Sequence, residues 1–183
     1  VYVNDAFGTA HRAHASVVGL PEALGVDRVA AGFLVGKEIE SFGKVLRDPA
    51  RPFVAVLGGA KVADKIPVLT NLVEKVDAIV IGGGMAYTFL KAQEIGIGSS
   101  RLEEDLLGTS GEILSKARAS GVEVMLPSDH LAAAEFAESA EPVAVAEPAI
   151  PDGLMGLDIG EETRRRYAAR VESAGTVVWN GPM

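Results

Sequence analysis

The sequence contains no cysteine, which excludes disulfide bonds and thiolate metal sites. This absence is typical of cytoplasmic proteins, and we expect a cytoplasmic location. No apolar run reaches the roughly 18 residues that a membrane-spanning helix needs, so no membrane partner is expected. Basic residues are also scarce, with 17 Lys and Arg against 25 Asp and Glu and a net charge of -8. This charge excludes a general nucleic-acid binder, because phosphate contacts along a strand need a basic surface. It does not exclude a local pocket for a small anion.

The amino-acid composition is typical of a globular protein. Hydrophobic residues make up 48% and charged residues 23% of the 183 positions, enough for one domain or one domain with part of another. The N-terminal stretch VYVNDAFGTAH has neither the basic nor the apolar part of a signal peptide. The C-terminal stretch GTVVWNGPM stops just after an apolar, strand-like run. These two ends predict an internal segment of a longer chain.

Four apolar runs predict β-strands, at 53–57, 77–81, 122–126 and 176–179. They are apolar on both faces, as expected for parallel strands covered by helices above and below. Helices are predicted at 109–120, where Thr109 and Glu112 have the spacing of a capping box, and at 161–173. Pro67 is expected to divide the helical stretch between the first two strands. The alternation of strands and helices predicts a three-layer α/β/α fold with a mainly parallel sheet, incomplete at both ends.

The first 50 residues have a different pattern. Between 32 and 48, apolar residues from Leu34 to Leu46 recur close to the 3.6-residue period of a helix. Pro49 and Pro52 follow this segment directly and stop the helix before the sheet begins. The segment 32–48 therefore predicts a helix that connects two domains.

The stretch LGGAKVADK follows the first predicted strand and contains two glycines and two lysines. A strand that turns through glycines into a helix directs backbone N–H groups at the positive end of the helix dipole, which attracts phosphate. Lys61 and Lys65 are four residues apart and are expected to share one face of that helix. A plain glycine turn followed by two solvated lysines explains the same letters equally well.

A second glycine turn, IGGGMAYTF, follows the next strand. Neighbouring parallel strands end at the same edge of a sheet, and open α/β sheets bind their ligands at that edge. Two glycine turns there favour a nucleotide site, with one turn toward phosphates and the other toward a flat base. Close packing of helix on sheet is the alternative explanation of the triple glycine.

The stretch NDAFGTAHRAHAS places His11, Arg12 and His14 within four residues of an acidic protein. The planar guanidinium of arginine suits bidentate binding of carboxylate or phosphate, and the two histidines would share one face of a helix. A metal site is disfavoured, because no carboxylate is spaced to complete a ligand set. An ordinary solvated basic cluster is the alternative.

Three further stretches have weaker patterns. Asn180, in VVWNGPM, is either a turn residue or a hydrogen-bond donor to phosphate. The stretch LMGLDIG at 154–160 is predicted as a loop whose Gly156 and Leu157 line an apolar pocket. His130 is predicted in a loop or at the start of a helix.

Taken together, VNDAFGTAHRAHAS, GGAKVADKI, IGGGMAYTFL, MGLDIG and VVWNGPM resemble the phosphoglycerate kinase family, in that family's order and at similar spacing. The resemblance implies two Rossmann-like domains. It assigns 1–31 to the end of the phosphoglycerate-binding domain, 32–48 to the interdomain helix and 49–183 to a truncated nucleotide-binding domain. It also implies reversible phosphoryl transfer between 1,3-bisphosphoglycerate and MgADP, giving 3-phosphoglycerate and MgATP, with the substrates on different domains.

The resemblance implies a role for each matching residue. Arg12 would contact the phosphoglycerate, with His11 and His14 in the surrounding basic patch. Lys61 and Lys65 would be catalytic and reach the nucleotide phosphates, which Asn180 would also face. The base and ribose side of the nucleotide site would comprise Gly59, Ala60, Gly83, Gly84, Gly156, Leu157 and Pro182.

Other implications concern groups outside these motifs. Mg²⁺ would arrive with ATP or ADP, and its acidic ligand is expected outside these residues. Arg101 stands where the family usually has an apolar residue beside the adenine, so its side chain either stacks on the base or turns outward. The longer parent protein is expected to be a monomer, and the chain alone is expected to be inactive.

Two other functions fit parts of the pattern. A dinucleotide-binding oxidoreductase would also have strands that end in glycines, but neither turn contains G-x-G-x-x-G. A non-catalytic interaction fragment would keep only the scaffold and tend to associate through the open edges of its sheet. Titration with NADH and ATP tests the first alternative, and light scattering tests the second.

Overall fold

The computed structural model describes the backbone of all 183 residues and every side chain except that of Leu46. The side chain of Leu46, one of the apolar positions of the predicted helix, therefore lies outside the described residues. The chain forms two compact units, Val1–Pro49 and Ala50–Met183. No helix in the described part of the chain is long and apolar enough to cross a membrane.

The first unit contains two short parallel strands and two helices. In chain order they are β1 (Tyr2–Asn4), α1 (Leu20–Leu24), β2 (Val29–Ala31) and α2 (Phe33–Arg47). Strand β1 pairs with β2. The carboxylate of Asp5 accepts a hydrogen bond from the amide of Val35 at 2.9 Å, in the first turn of α2, where backbone donors have no partner within the helix. Helix α2 ends just before Pro49, within one residue of each predicted bound.

The second unit contains the remaining elements. In chain order they are β3 (Phe53–Leu57), α3 (Ile66–Leu72), β4 (Ala78–Ile81), α4 (Met85–Lys91), α5 (Leu107–Ala119), β5 (Glu123–Met125), β6 (His130–Ala133), β7 (Val143–Val145), β8 (Met155–Ile159), α6 (Glu161–Glu172) and β9 (Thr176–Asn180).

The main sheet has the strand order β5-β4-β3-β9, and all of its pairs are parallel. These are the four strands that the apolar runs predict. Every residue of the central strands β3 and β4 is buried, which requires cover on both faces of the sheet. On one face, Val54, Val56 and Val80 pack against Tyr167 of α6. The Tyr167 hydroxyl donates to Ile81 O or Met125 O, at 2.8 and 3.1 Å, where two strands end.

A second, antiparallel sheet has the order β7-β6-β8 and corrects two predictions. The stretch predicted as a loop at 154–160 contains β8, and His130, predicted in a loop or helix start, begins β6. Gly156 and Asp158 have low strand propensity, so the letters MGLDI do not indicate a strand. Pairing with β6, which places Ala132 opposite Gly156, forms the strand nonetheless.

His130 is buried, with 1% of its surface exposed. Its Nε2–H donates to the carbonyl oxygen of Pro148 at 3.0 Å. Burial lowers the pKa of His130, against the opposing effects of this hydrogen bond and of the Asp129 charge. His130 is therefore a buried core residue that ties β6 to the loop after β7.

The helices agree with prediction except at one start. Pro67 lies in the first turn of α3, behind a separate 3₁₀ turn at Ala63–Lys65, so the predicted division is confirmed. Helix α5 begins at Leu107, and Thr109 lies inside it rather than at the N-cap. The predicted capping box is therefore wrong. At the other end, Gly121 has a φ of 71°, as expected for the residue after a helix.

Helix α6 is capped by a carboxylate from another part of the chain. Asp129 accepts hydrogen bonds from the amides of Glu162 at 2.9 Å and Thr163 at 2.7 Å, and from the Thr163 hydroxyl at 2.5 Å. Burial by itself raises the pKa of the Asp129 carboxyl, but these hydrogen bonds and the charge of His130 outweigh burial and lower it. The cap joins the end of the main sheet to the helix that covers it.

We predict that Asp129→Ala destabilises the chain by about 1–2 kcal/mol at pH 7, because two amides at the start of α6 lose their acceptor. Since the folded pKa lies below the unfolded value of about 3.9, the contribution is complete above that value and is lost as the pH falls through the folded pKa. Urea unfolding of the wild type and of Asp129→Ala measures the difference in their free energies of unfolding. This difference should be smaller at pH 3 than at pH 7.

Asp152→Ala is the matched control, because Asp152 is exposed and accepts no side-chain hydrogen bond among the described residues. An equal loss of stability in both variants at pH 7 would contradict the role of Asp129. Asp129→Asn, which keeps one acceptor oxygen, should fall between the wild type and Asp129→Ala.

Candidate functional site

Three neighbouring strands of the main sheet, β4, β3 and β9, end in glycine turns at one edge. Gly82–Gly84 follow β4, Gly58 and Gly59 follow β3, and Gly181 follows β9. The turns touch backbone to backbone. A Cβ atom would lie 2.0 Å from Pro182 O if added at Gly58, and 2.6 Å from Gly59 N if added at Gly83. Only glycine permits this contact, and at Gly83 and Gly181 the φ values of 67° and 93° require it as well.

Hydrogen bonds join the three turns into one layer. The Gly58 amide donates to Asn180 O at 3.0 Å, and the Gly82 amide donates to Leu57 O at 2.9 Å. The Gly83 amide donates to Met183 O at 2.5 Å. This bonded layer of bare backbone forms the base of a surface pocket.

The pocket has a volume of about 540 Å³. It is lined by Gly59, Ala60, Gly83, Gly84, Ser99, Arg101, Phe136, Met155, Gly156, Leu157, Pro182 and Met183. The structure thus brings together all seven residues that the resemblance assigns to the base and ribose. Their side chains are absent, small or apolar, which leaves a flat, uncharged surface of the kind a purine base needs.

Several lining residues were not predicted. Ser99, Phe136, Met155 and Met183 lie in or beside loops and a short strand, and no sequence pattern sets them apart from other residues. Arg101 is the only charged residue among the described lining residues. Its Cδ lies 3.4 Å from a Cβ position built on Gly84, so the aliphatic stem lies along the wall of the pocket.

One wall of the pocket rests on buried Tyr87. A Cβ atom added at Gly156 would lie 2.0 Å from the Tyr87 hydroxyl oxygen. The Gly156 amide donates to the Ser100 hydroxyl at 2.9 Å, which fixes β8 against the segment that carries Arg101. Burial, with a smaller contribution from the Asp158 charge, raises the pKa of Tyr87 to about 12, so its hydroxyl stays protonated.

Lys65 and Asn180 meet beside the pocket, although neither lines it. The Lys65 ammonium donates a hydrogen bond to Asn180 Oδ1. The Lys65 stem passes over the glycine turn, with Cε 3.6 Å from a Cβ position on Gly59. Two of the three residues assigned to phosphate are therefore together, at the end of the pocket where β3 and β9 finish.

Lys61 is placed differently from the prediction. Lys61 precedes the 3₁₀ turn Ala63–Lys65, and α3 begins only at Ile66. The two lysines therefore do not share one face of an α-helix, because the segment between them is not α-helical. Lys61 is exposed and lines no part of the pocket.

The backbone amides of this turn also differ from the prediction. They were expected to face a phosphate, but those of Val62 and Ala63 donate to Glu103 Oε2, at 2.5 and 3.2 Å. A carboxylate of the protein thus occupies the anion-binding position of the turn. The amides of Val62 and Ala63 are therefore not free to bind a phosphate.

The basic cluster of the first unit lies on its surface. His11, Arg12 and His14 are exposed and lie between a 3₁₀ turn that ends at Thr9 and a π-helical turn that begins at Ala15. The predicted shared helix face of the two histidines is therefore wrong. The Nε–H of Arg12 donates to His11 Nε2 at 3.2 Å, which joins these two side chains.

The described residues contain no group of three or more His, Asp or Glu side chains arranged to hold a metal ion. Glu103 lies at the segment 61–65, called here the lysine turn, and its carboxylate is already bonded to two backbone amides. The described residues therefore do not offer the group of oxygen ligands that Mg²⁺ needs, and no Mg²⁺ ligand is assigned to this chain.

Comparison with known proteins gives the same family from sequence and from structure. The family model "PGK: Phosphoglycerate kinase" matches residues 1–183. Curated proteins named phosphoglycerate kinase are 60% identical in Anaeromyxobacter sp. (strain K) and 57% identical in Moorella thermoacetica, over the whole chain but only 46% of either relative. The chain thus spans about half the length of the curated relatives it matches.

Solved structures agree. The phosphoglycerate kinase of Coxiella burnetii matches 98% of this chain, and 46% of its own, with a TM-score of 0.90 and 42% identity. The phosphoglycerate kinase of Pyrococcus horikoshii OT3 matches the whole chain, and 46% of its own, with a TM-score of 0.82 and 29% identity. With the family model matched from end to end, this chain belongs to the phosphoglycerate kinase family.

Proposed function

We propose that the full-length protein containing this chain catalyses reversible phosphoryl transfer between 1,3-bisphosphoglycerate and MgADP, giving 3-phosphoglycerate and MgATP. The observation that carries the proposal is the glycine-walled pocket with Lys65 and Asn180 at one end. It combines a surface of glycine and apolar residues for a base with a cation for phosphates, in a chain that belongs to this family.

In this proposal the pocket binds the nucleoside part of ADP or ATP. Gly59, Ala60, Gly83 and Gly84 support one side of the base, and Gly156 and Leu157 border the other. Pro182 meets the ribose. The absence of side chains on most of these residues lets the ligand approach the backbone closely.

Lys65 and Lys61 are the proposed catalytic residues, with Asn180 toward the phosphates. The bond between phosphorus and the carboxyl oxygen of the acyl phosphate breaks, and a bond forms to the terminal phosphate oxygen of ADP. No proton needs to be removed from the attacking oxygen, so a general base is not required. The chain contributes positioning and positive charge on the transferred group, which are the main demands of phosphoryl transfer.

Arg12 is the proposed contact to the phosphoglycerate, with His11 and His14 in the same basic patch. Mg²⁺ is proposed to enter with the nucleotide, and it neutralises phosphate charge when bound. We expect the full-length protein to be a cytoplasmic monomer, and this chain by itself to be inactive.

We predict that Lys65→Ala in the full-length protein lowers kcat about 10²–10³-fold, the loss typical of removing one preorganised donor from a transition state. A coupled assay of ATP-dependent 3-phosphoglycerate phosphorylation measures it. Lys75→Ala is the matched control, because Lys75 is exposed and makes no salt bridge among the described residues. Near-normal turnover of Lys65→Ala, with the fold intact, would contradict its catalytic role.

A titration separates the proposed nucleotide site from a dinucleotide site. We expect the full-length protein to bind ATP in preference to NADH, because neither glycine turn has the spacing that cradles a pyrophosphate. Tighter binding of NADH would contradict the proposal, and fluorescence of NADH reports it directly.

We predict that Gly156→Ala raises the KM for ATP about 10-fold or more. The added methyl group would overlap buried Tyr87, so β8 must move and the pocket wall with it. Gly111→Ala is the matched control, because a Cβ atom there meets nothing within 4 Å. Steady-state kinetics checks both variants, and an unchanged KM in Gly156→Ala would show that this wall does not contact the nucleotide.

A further inference from the structure

The Glu103 side chain meets the chain at the midpoint of the segment between the two proposed catalytic lysines. One oxygen, Oε2, accepts the amide of Val62 at 2.5 Å and the amide of Ala63 at 3.2 Å. Lys61 directly precedes this pair and Lys65 follows it by two residues. We propose that Glu103 is a positioning residue for phosphoryl transfer, which holds the turn that carries Lys61 and Lys65. This inference rests on the proposed function.

The turn has few other fixed points. Within the segment 61–65, the described backbone hydrogen bonds are those from Lys65 N and Ile66 N to Val62 O, at 2.8 and 3.1 Å. Both bonds are internal to the turn and close it upon itself. The buried Val62 side chain, the Glu103 carboxylate and the bond from the Lys65 ammonium to Asn180 attach the turn to the rest of the unit, and Glu103 alone of these holds its backbone. Without Glu103, two amides at the start of the turn lose their acceptor and the turn can tilt about Val62.

Glu103 is itself fixed by a buried residue. Its amide donates to the hydroxyl of Thr88 at 3.2 Å, and Thr88 is 1% exposed on α4. Helix α4 begins directly after the triple glycine that borders the pocket. A continuous set of hydrogen bonds therefore runs from α4 through Glu103 to the lysine turn.

The same segment also contacts the base side of the pocket. Ser100, three residues before Glu103, accepts the Gly156 amide at 2.9 Å, and Arg101 lines the pocket between them. The residues 99–103 thus join the proposed base site to the proposed phosphate site. This placement explains why a carboxylate stands so near a site for anions: its charge is directed at backbone donors, not at the ligand.

The test uses the full-length protein, with Glu103→Ala, Glu103→Gln and the neighbouring Glu104→Ala. We expect Glu103→Ala to lower kcat about 10–100-fold, because a misplacement of about 1 Å at the reacting group can cost 10²-fold. The KM for ATP should stay within about 3-fold, because the base pocket is not altered. Glu103→Gln should recover most of the kcat, since its amide oxygen accepts the same two hydrogen bonds. Glu104→Ala should resemble the wild type, because Glu104 is exposed.

A second measurement does not depend on activity. Hydrogen exchange, followed by mass spectrometry on a peptide covering 58–66, should be about 10-fold faster at the Val62 and Ala63 amides in Glu103→Ala than in Glu104→Ala. Unchanged exchange at these amides would overturn the inference. So would a wild-type kcat, or a parallel change of kcat and KM that Glu103→Gln does not reverse.

A failure of the proposed function can be distinguished from a failure of the role assigned to Glu103. If the wild-type protein does not phosphorylate 3-phosphoglycerate, or Lys65→Ala is fully active, the proposed function is wrong whatever Glu103 does. If Lys65→Ala is inactive and Glu103→Ala is not impaired, only the role of Glu103 is wrong.

Discussion

The contact of bare backbone on bare backbone at the carboxyl edge of the main sheet is the constraint on which the rest of the second unit depends. At Gly58, Gly83 and Gly181, the neighbouring turn occupies the space of a Cβ atom. The turns can therefore interlock, and the hydrogen bonds between them keep β4, β3 and β9 at one level. A platform of bare backbone results, with the pocket at one end and the Lys65 ammonium at the other.

Around this platform, polar side chains fix the positions of helix α6 and of the lysine turn through hydrogen bonds to the backbone. Tyr167 bonds to carbonyl oxygens where β4 and β5 end, and Asp129 caps the helix that contains Tyr167. Glu103 does the same for the lysine turn. Each of these groups bonds to backbone, which fixes position more sharply than side-chain packing because hydrogen bonds are directional.

The sequence predicted the parts of the fold that local physics determines. The four strands of the main sheet are continuous apolar runs, and α2 and α6 are bounded by proline or glycine, so their bounds were found to within one or two residues. The antiparallel sheet was missed, because β8 contains Gly156 and Asp158 and forms through its partner. The seven glycine and apolar residues of the pocket came from family resemblance, whereas Phe136 and Glu103 depend on long-range folding that no local pattern encodes.

The chain enters and leaves the antiparallel sheet at nearly one point. The Gly160 amide donates to Asp129 O at 2.9 Å. The thirty residues 130–159 therefore begin and end beside each other, between the end of β5 and the start of α6. These residues supply no strand to the main sheet, whose order is β5-β4-β3-β9. The part of the pocket wall that β8 contributes therefore belongs to a segment separate in sequence from the strands of the main sheet and from the two lysines.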